Sequence, residues 1–145
     1  MSLTKHKDGV VFQNMAEIEN MLFHQPLQDL VENLGYYRRL DRTWHFIERE
    51  YADPNLRLEK AAQASGISKN HLNVLLRRTT GFTFHQLLIR YRLLQALRRM
   101  RARNYSLFEI ALESGFSSSS VFGRNFRSLL GTTPKEIRGI GILDE

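Results

Sequence analysis

Cysteine is absent from this sequence, which excludes disulfides and thiolate metal sites and fits a reducing compartment, so a cytoplasmic location is expected. No apolar run approaches the roughly 20 residues needed to cross a bilayer, and no secretory signal is visible. No membrane partner is expected, and Met1, Ser2 and Leu3 read as an expression scar. The five histidines (His6, His24, His45, His71 and His85) show no metal-ligand spacing. A glycine-rich phosphate loop and a nucleophile elbow are both missing. The chain is therefore read as no enzyme, with no catalytic residues, no cofactor and no metal. Acidic charge is scarce in one part only. Residues 56–145 carry 15 Lys/Arg against 6 Asp/Glu, whereas residues 1–55 carry 6 against 9. The basic part attracts polyanions, nucleic acid being the commonest, although charge alone also fits a solvated basic surface.

What is present is an ordinary composition for one soluble domain, 42% hydrophobic and 25% charged, and an internal repeat. Leu58, Ala62, Ser65, Gly66, Ile67 and Ser68 recur as Leu107, Ala111, Ser114, Gly115, Phe116 and Ser117, a shift of 49. At a shift of 50, Leu72 matches Phe122, Leu76 matches Phe126, Arg77 matches Arg127 and Gly81 matches Gly131.

Each copy reads as helix, tight turn, helix. Leu58, Ala61 and Ala62 sit at helical spacing, as do Leu107, Ile110 and Ala111, and the alanines let a second helix cross close by. Gly66 and Gly115 stand where a helix ends in the left-handed conformation that glycine adopts without steric cost. Ser68 caps the second helix of the first copy, and Ser117 or Ser118 that of the second. The apolar faces that follow are Leu72, Leu75 and Leu76, then Val121, Phe122 and Phe126. This is the geometry that lays a second helix in a major groove. Ser106 with Glu109 forms a capping box, and Thr133, Pro134 and Glu136 form another that opens a short final helix. Between the units, residues 84–103 contain neither Gly nor Pro and read as one helix about 30 Å long. Its buried stripe is Phe84, Leu87, Leu88, Tyr91, Leu94 and Leu97. Of Arg98, Arg99, Arg101 and Arg103, most are expected to be solvated and some to pair instead with the acidic segment near residues 48–53, because successive helical positions point in different directions.

Over residues 42–139 the sequence resembles the AraC/XylS family of transcription regulators. The second unit carries most of the likeness: Ile110-Ala111 through Gly115-Phe116, then Phe122, Arg124, Phe126 and Arg127, then Gly131, Thr133 and Pro134. Where the family commonly has Arg and Phe in the first recognition helix, this sequence has Val74 and Leu76. The resemblance implies an all-α fold, a seven-helix domain with two helix-turn-helix units joined by a long connector helix, plus short N-terminal helices here. Residues 69–79 and 119–129 would be the recognition helices of a sequence-specific regulator, binding two adjacent major-groove segments of a promoter. The outward positions near their starts are Asn70, Asn73, Ser119, Ser120, Gly123 and Arg124. Base contacts are expected from Asn70, Asn73, Ser119, Ser120 and Arg124, since Arg pairs with guanine and Asn with adenine. Lys69, Arg77, Arg78, Ser118 and Arg127 are expected on phosphates.

Residues 1–41 fit no part of that pattern and read as a helical arm or the tail of a sensor or dimerisation domain, with 140–145 a C-terminal tail. Met15, Ile18, Met21 and Leu22 outline a helix broken before Pro26; Leu27, Leu30, Val31 and Leu34 outline another. Residues 14–34 are expected either to mediate self-association or docking, or to pack on the DNA-binding domain. Asp41 is read as the cap of the next helix, with Trp44, Ile47 and Tyr51 on its core face. The expected partner is double-stranded DNA; an activator would also need RNA polymerase, for which no segment supplies a recognisable surface. The rival is a protein-interaction module that keeps the fold but binds another regulator.

Overall fold

The computed structural model describes residues 4–5, 11–102 and 105–140. Arg103, His6, residues 1–3 and residues 141–145 of the tail lie outside the described residues. Nine helices occur among those described: α1 (Met15–Phe23), α2 (Leu27–Gly35), α3 (Arg38–Glu50), α4 (Leu58–Ser65), α5 (Lys69–Thr80), α6 (Phe84–Ala102), α7 (Leu107–Glu113), α8 (Ser119–Leu130) and α9 (Pro134–Ile140). Helices α3 to α9 are the expected seven, and α1 and α2 are the N-terminal pair. A two-residue antiparallel pairing, β1 (Thr4–Lys5) with β2 (Val11–Phe12), had no counterpart in the sequence pattern, and at that length it leaves the fold all-α.

The connector α6 is the centre of the molecule. Its expected stripe is buried, and so are Leu93, Ala96 and Met100. A helix covered on most sides must be apolar around most of its circumference, and the cover comes from α1, α5, α7 and α8. The N-terminal pair is part of this packing: α1 lies on α6 and α8, and α2 lies on α3 and α5. Ile18, Leu22, Phe23, Leu30 and Leu34 are the groups they bury. Met21, expected on that stripe, is 43% exposed. At 100° per residue it stands well round the helix from Leu22, beyond the reach of the core.

Asp41 is not a helix cap. Because α2 ends at Gly35 and the chain turns within two residues, α3 already begins at Arg38, with Tyr37 as a cap that makes no side-chain bond. Asp41 falls in the first turn instead, where a carboxylate suits the helix dipole. Trp44 and Ile47 are buried as expected, and Tyr51 sits half-buried at the C-terminal end.

A charge inside the core ties the units together. Arg92 is 7% exposed and donates from Nε to the Tyr51 carbonyl at 2.8 Å and from Nη2 to the Asp53 carbonyl at 2.7 Å. A cation there suits the C-terminal end of α3. Burial lowers the Arg92 pKa, with the Asp53 charge opposing. Seven residues on, and so on the same face, Arg99 donates to the Tyr51 hydroxyl at 2.8 Å and to Ser114 Oγ at 3.3 Å, with Nε 3.6 Å from the Glu113 carboxylate. Arg98 and Arg101 are exposed, in keeping with solvation, but Arg99 is a bridge from α6 to α7. Only the fold places a hydroxyl, a serine and a carboxylate within its reach.

Candidate nucleic-acid interface

The two repeats close their turns by the same hydrogen bonds. In the first, Ile67 N–H donates to the Ala62 carbonyl at 3.2 Å and Gly66 N–H to Gln63 at 3.2 Å. In the second, Phe116 N–H donates to Ala111 at 3.1 Å and Gly115 N–H to Leu112 at 3.1 Å. Both are Schellman turns, each with an apolar residue following the glycine, as that motif favours. Ser68 then accepts from His71 N–H at 3.2 Å, and Ser118 accepts from Val121 N–H at 3.1 Å. Of the two serines open for the second cap, the structure selects Ser118. Two recognition helices of 12 residues follow, ended by Gly81 and Gly131. Leu72, Leu76 and Thr80 face inward on α5, and Phe122, Phe126 and Leu130 on α8, so the two helices have equivalent faces outward.

Asn70, Val74 and Arg77 stand on one exposed line of α5; Ser120, Arg124 and Arg127 stand on the matching line of α8. Arg78 and Ser119 are exposed beside them. Neither helix carries a carboxylate, which leaves both N-terminal ends suited to an anion. Val74 is 46% exposed, an apolar group in a polar line, where α8 has Arg124. Gly123 has open space around it.

Three expected contact residues have other engagements. Asn73 is half-buried, and its Oδ1 accepts Phe84 N–H at 2.9 Å, capping the start of α6. The second unit has no such need, because Pro134 occupies the corresponding place and has no N–H; the position matching Asn73 is Gly123. Asn73→Ala is therefore expected to lower stability by about 1 kcal/mol, as loss of a helix cap does. Comparing its urea midpoint with that of Asn70→Ala, which should be unchanged, measures this. Lys69 Nζ lies 3.3 Å from Glu59 Oε1, and a backbone hydrogen bond together with Lys69 holds the Glu59 carboxyl below its usual range. Ser118 has its oxygen occupied as the cap, leaving its proton to donate.

Sequence reasoning missed the groups that hold the second turn in place. Arg92 and Arg99 are the positioning residues there, and their spacing of seven on an otherwise apolar face is the signal that was available. The pairing of Lys69 with Glu59 across ten residues left none.

A family model described as a helix-turn-helix domain matches residues 61–139. The chain belongs to the AraC-type helix-turn-helix family. By family and fold it is a DNA-binding transcription regulator, not an enzyme. Relatives of this AraC-type chain include the probable transcription factor PqrA of Proteus vulgaris, 32% identical over 90 residues, covering 62% of this chain and 74% of that one. Regulatory protein SoxS of Escherichia coli K12 is 33% identical over 89 residues, covering 61% and 83%. The HTH-type transcriptional activator Btr of Bacillus subtilis is 26% identical over 110 residues, covering 76% of this chain, which spans only 21% of Btr. Among solved structures, the DNA-binding domain of AdpA in complex with a target DNA aligns with a TM-score of 0.66 at 27% identity, covering 72% of this chain and 92% of that one. No helix among the described residues is long and apolar enough to cross a membrane.

Proposed function

We propose that this chain is a sequence-specific regulator that places α5 and α8 in two adjacent major-groove segments of a promoter. The observation that carries this reading is the equivalence of the two units. Each presents a recognition helix without carboxylates, opened by a serine cap and closed by a glycine, on opposite ends of a connector of 19 residues. That connector is about 28 Å long, comparable with the ~34 Å between successive major-groove faces on one side of a duplex. Asn70, Ser119, Ser120 and Arg124 are the base-reading residues, and Asn73 adds its free amide donors at the edge. Lys69, Arg77, Arg78, Ser118 and Arg127 position the protein on phosphates. The DNA-binding domain of this reading, residues 42–139 in the sequence pattern, runs from α3 at Arg38 to α9 at Ile140, with α1 and α2 as the helical arm before it.

Activation in the cytoplasm is the regulatory role we assign, because Btr of Bacillus subtilis and AarP of Providencia stuartii are named as activators. It requires RNA polymerase as a second partner. Self-association through residues 14–34 would rest on groups such as Met21, since the inner stripe of α1 and α2 is buried in the chain's own core.

The test is a footprint on duplexes selected from pooled genomic DNA, at two salt concentrations. Two protected segments about one helical turn apart, weakening steeply with salt, are expected. A single protected segment would reduce the first unit to a steadying role. No selection above background, with tight binding to another regulator instead, would favour the protein-interaction module, whose best support is the exposed Val74.

A further inference from the structure

Beside the first recognition helix lies a groove of about 550 Å³, lined chiefly by Tyr36, Tyr37, Arg38 and Arg39 on one wall and by Leu75 and Arg78 of α5 on the other. No carboxylate lines it. The nearest acid in the segment, Asp41, has its carboxylate 3.6 Å from His45 Nδ1. Tyr36 and Tyr37 are 83% and 59% exposed, an unusual state for side chains whose rings gain so much from burial. Arg78 stands roughly 40° round α5 from Val74, and Leu75 roughly 100° on the same side. The groove is thus a lateral continuation of the outward face of α5.

We propose that Tyr36–Arg39 is a second DNA-binding element of the first unit, taking the phosphate backbone that borders the groove entered by α5. The inference rests on the duplex-reading function above and adds residues that lie outside the 61–139 family match. Arg38 and Arg39, with Arg78 opposite, supply charge to phosphate oxygens, and the tyrosine hydroxyls donate to the same backbone. Such contacts position without specifying. They give the first unit a hold on DNA although its outward line has valine at 74, where the second has Arg124. Complementary charge and continuity with the recognition face single out duplex DNA as the occupant.

The test uses the full chain and one selected duplex, comparing wild type with Arg38→Gln/Arg39→Gln and with Arg38→Lys/Arg39→Lys. Binding is measured at several salt concentrations, with phosphate-ethylation interference mapping the backbone contacts. Losing two phosphate contacts lowers the salt slope by about 2, so the fall in affinity between ~50 and ~200 mM salt shrinks about tenfold. The glutamine pair should also lose interference at phosphates flanking one half-site only, while the lysine pair keeps the wild-type slope. An unchanged slope and an unchanged interference pattern in the glutamine pair would overturn the inference. Because wild type still selects and protects DNA in that outcome, it is distinct from failure of the duplex-reading function, in which wild type selects nothing. Equal thermal midpoints for the three proteins confirm that binding alone has been changed, and the lysine pair supports or sinks the charge argument even if the glutamine pair folds poorly.

Discussion

Gly115→Ala is expected to destabilise the protein by on the order of 4 kcal/mol, a large part of the ~5–15 kcal/mol that holds a domain of this size together. The backbone there has φ of +96°, where an L side chain is strained by about 1–2 kcal/mol. Steric contact costs more than this strain. An added Cβ would press inside van der Waals distance on the Tyr51 carbonyl oxygen and come within 2.7 Å of Arg92 Nε. Those two atoms are themselves a donor–acceptor pair at 2.8 Å. Relieving the clash means pulling a buried guanidinium away from its carbonyl, and an uncompensated buried charge costs about 3 kcal/mol or more. Gly81→Ala separates the two causes. Its φ of +84° is as unfavourable, but beyond its immediate chain neighbours nothing lies within 4 Å of the added methyl, so about 1 kcal/mol is expected. Urea unfolding of both variants decides the matter; similar losses would mean that Arg92 and Tyr51 yield freely and that the close approach is not what the position requires.

Arg124→Ala is expected to weaken binding to a selected duplex by roughly 10- to 100-fold, the cost of one good base contact. It should leave unfolding within ~0.5 kcal/mol of wild type, because the side chain is exposed. Val74→Ala, at the matching place in α5, should change affinity less than twofold, since a valine there has no donor to lose. The loss at Arg124 should also depend on sequence, falling on one base position and sparing scrambled DNA. If selected and scrambled duplexes lose affinity equally, Arg124 holds a phosphate, and base reading by α8 passes to Ser119 and Ser120. Val74→Arg offers the converse: on the present reading it raises affinity and steepens the salt slope by about 1.

These two residues show how unevenly the structure was written into the chain. Arg124 was visible as an outward position because Phe122 and Phe126 on either side of it have helical core spacing. Gly115 was visible as the end of a helix, but the reason it must be glycine was not. The neighbours that forbid a methyl group come from residues 51 and 92, far away in the chain. Asn73 is a similar case: its place on the helix pointed outward to DNA, whereas the fold brings the start of α6 to its side-chain oxygen. The arm was legible as two amphipathic helices, yet its docking partner was not, since an apolar stripe looks the same whether it is covered by its own chain or by another.

By itself the sequence determined the local geometry: two helix-turn-helix repeats, their glycine-closed turns and the Ser68 cap, the unbroken connector, and a net basic charge confined to residues 56–145. Those features depend on residues within a turn or two of each other, where φ preferences, cap hydrogen bonds and a 3.6-residue period leave few alternatives. Tertiary structure alone decided what depends on distant segments meeting. It buried Arg92 against the end of α3, singled out Arg99 as a bridge from α6 to Tyr51 and α7, folded the N-terminal pair across both units, and set Tyr36–Arg39 beside α5. The physical reason is that burial, charge pairing and steric exclusion depend on which surfaces come into contact, and that is fixed by the packing of the whole chain rather than by any one stretch of it.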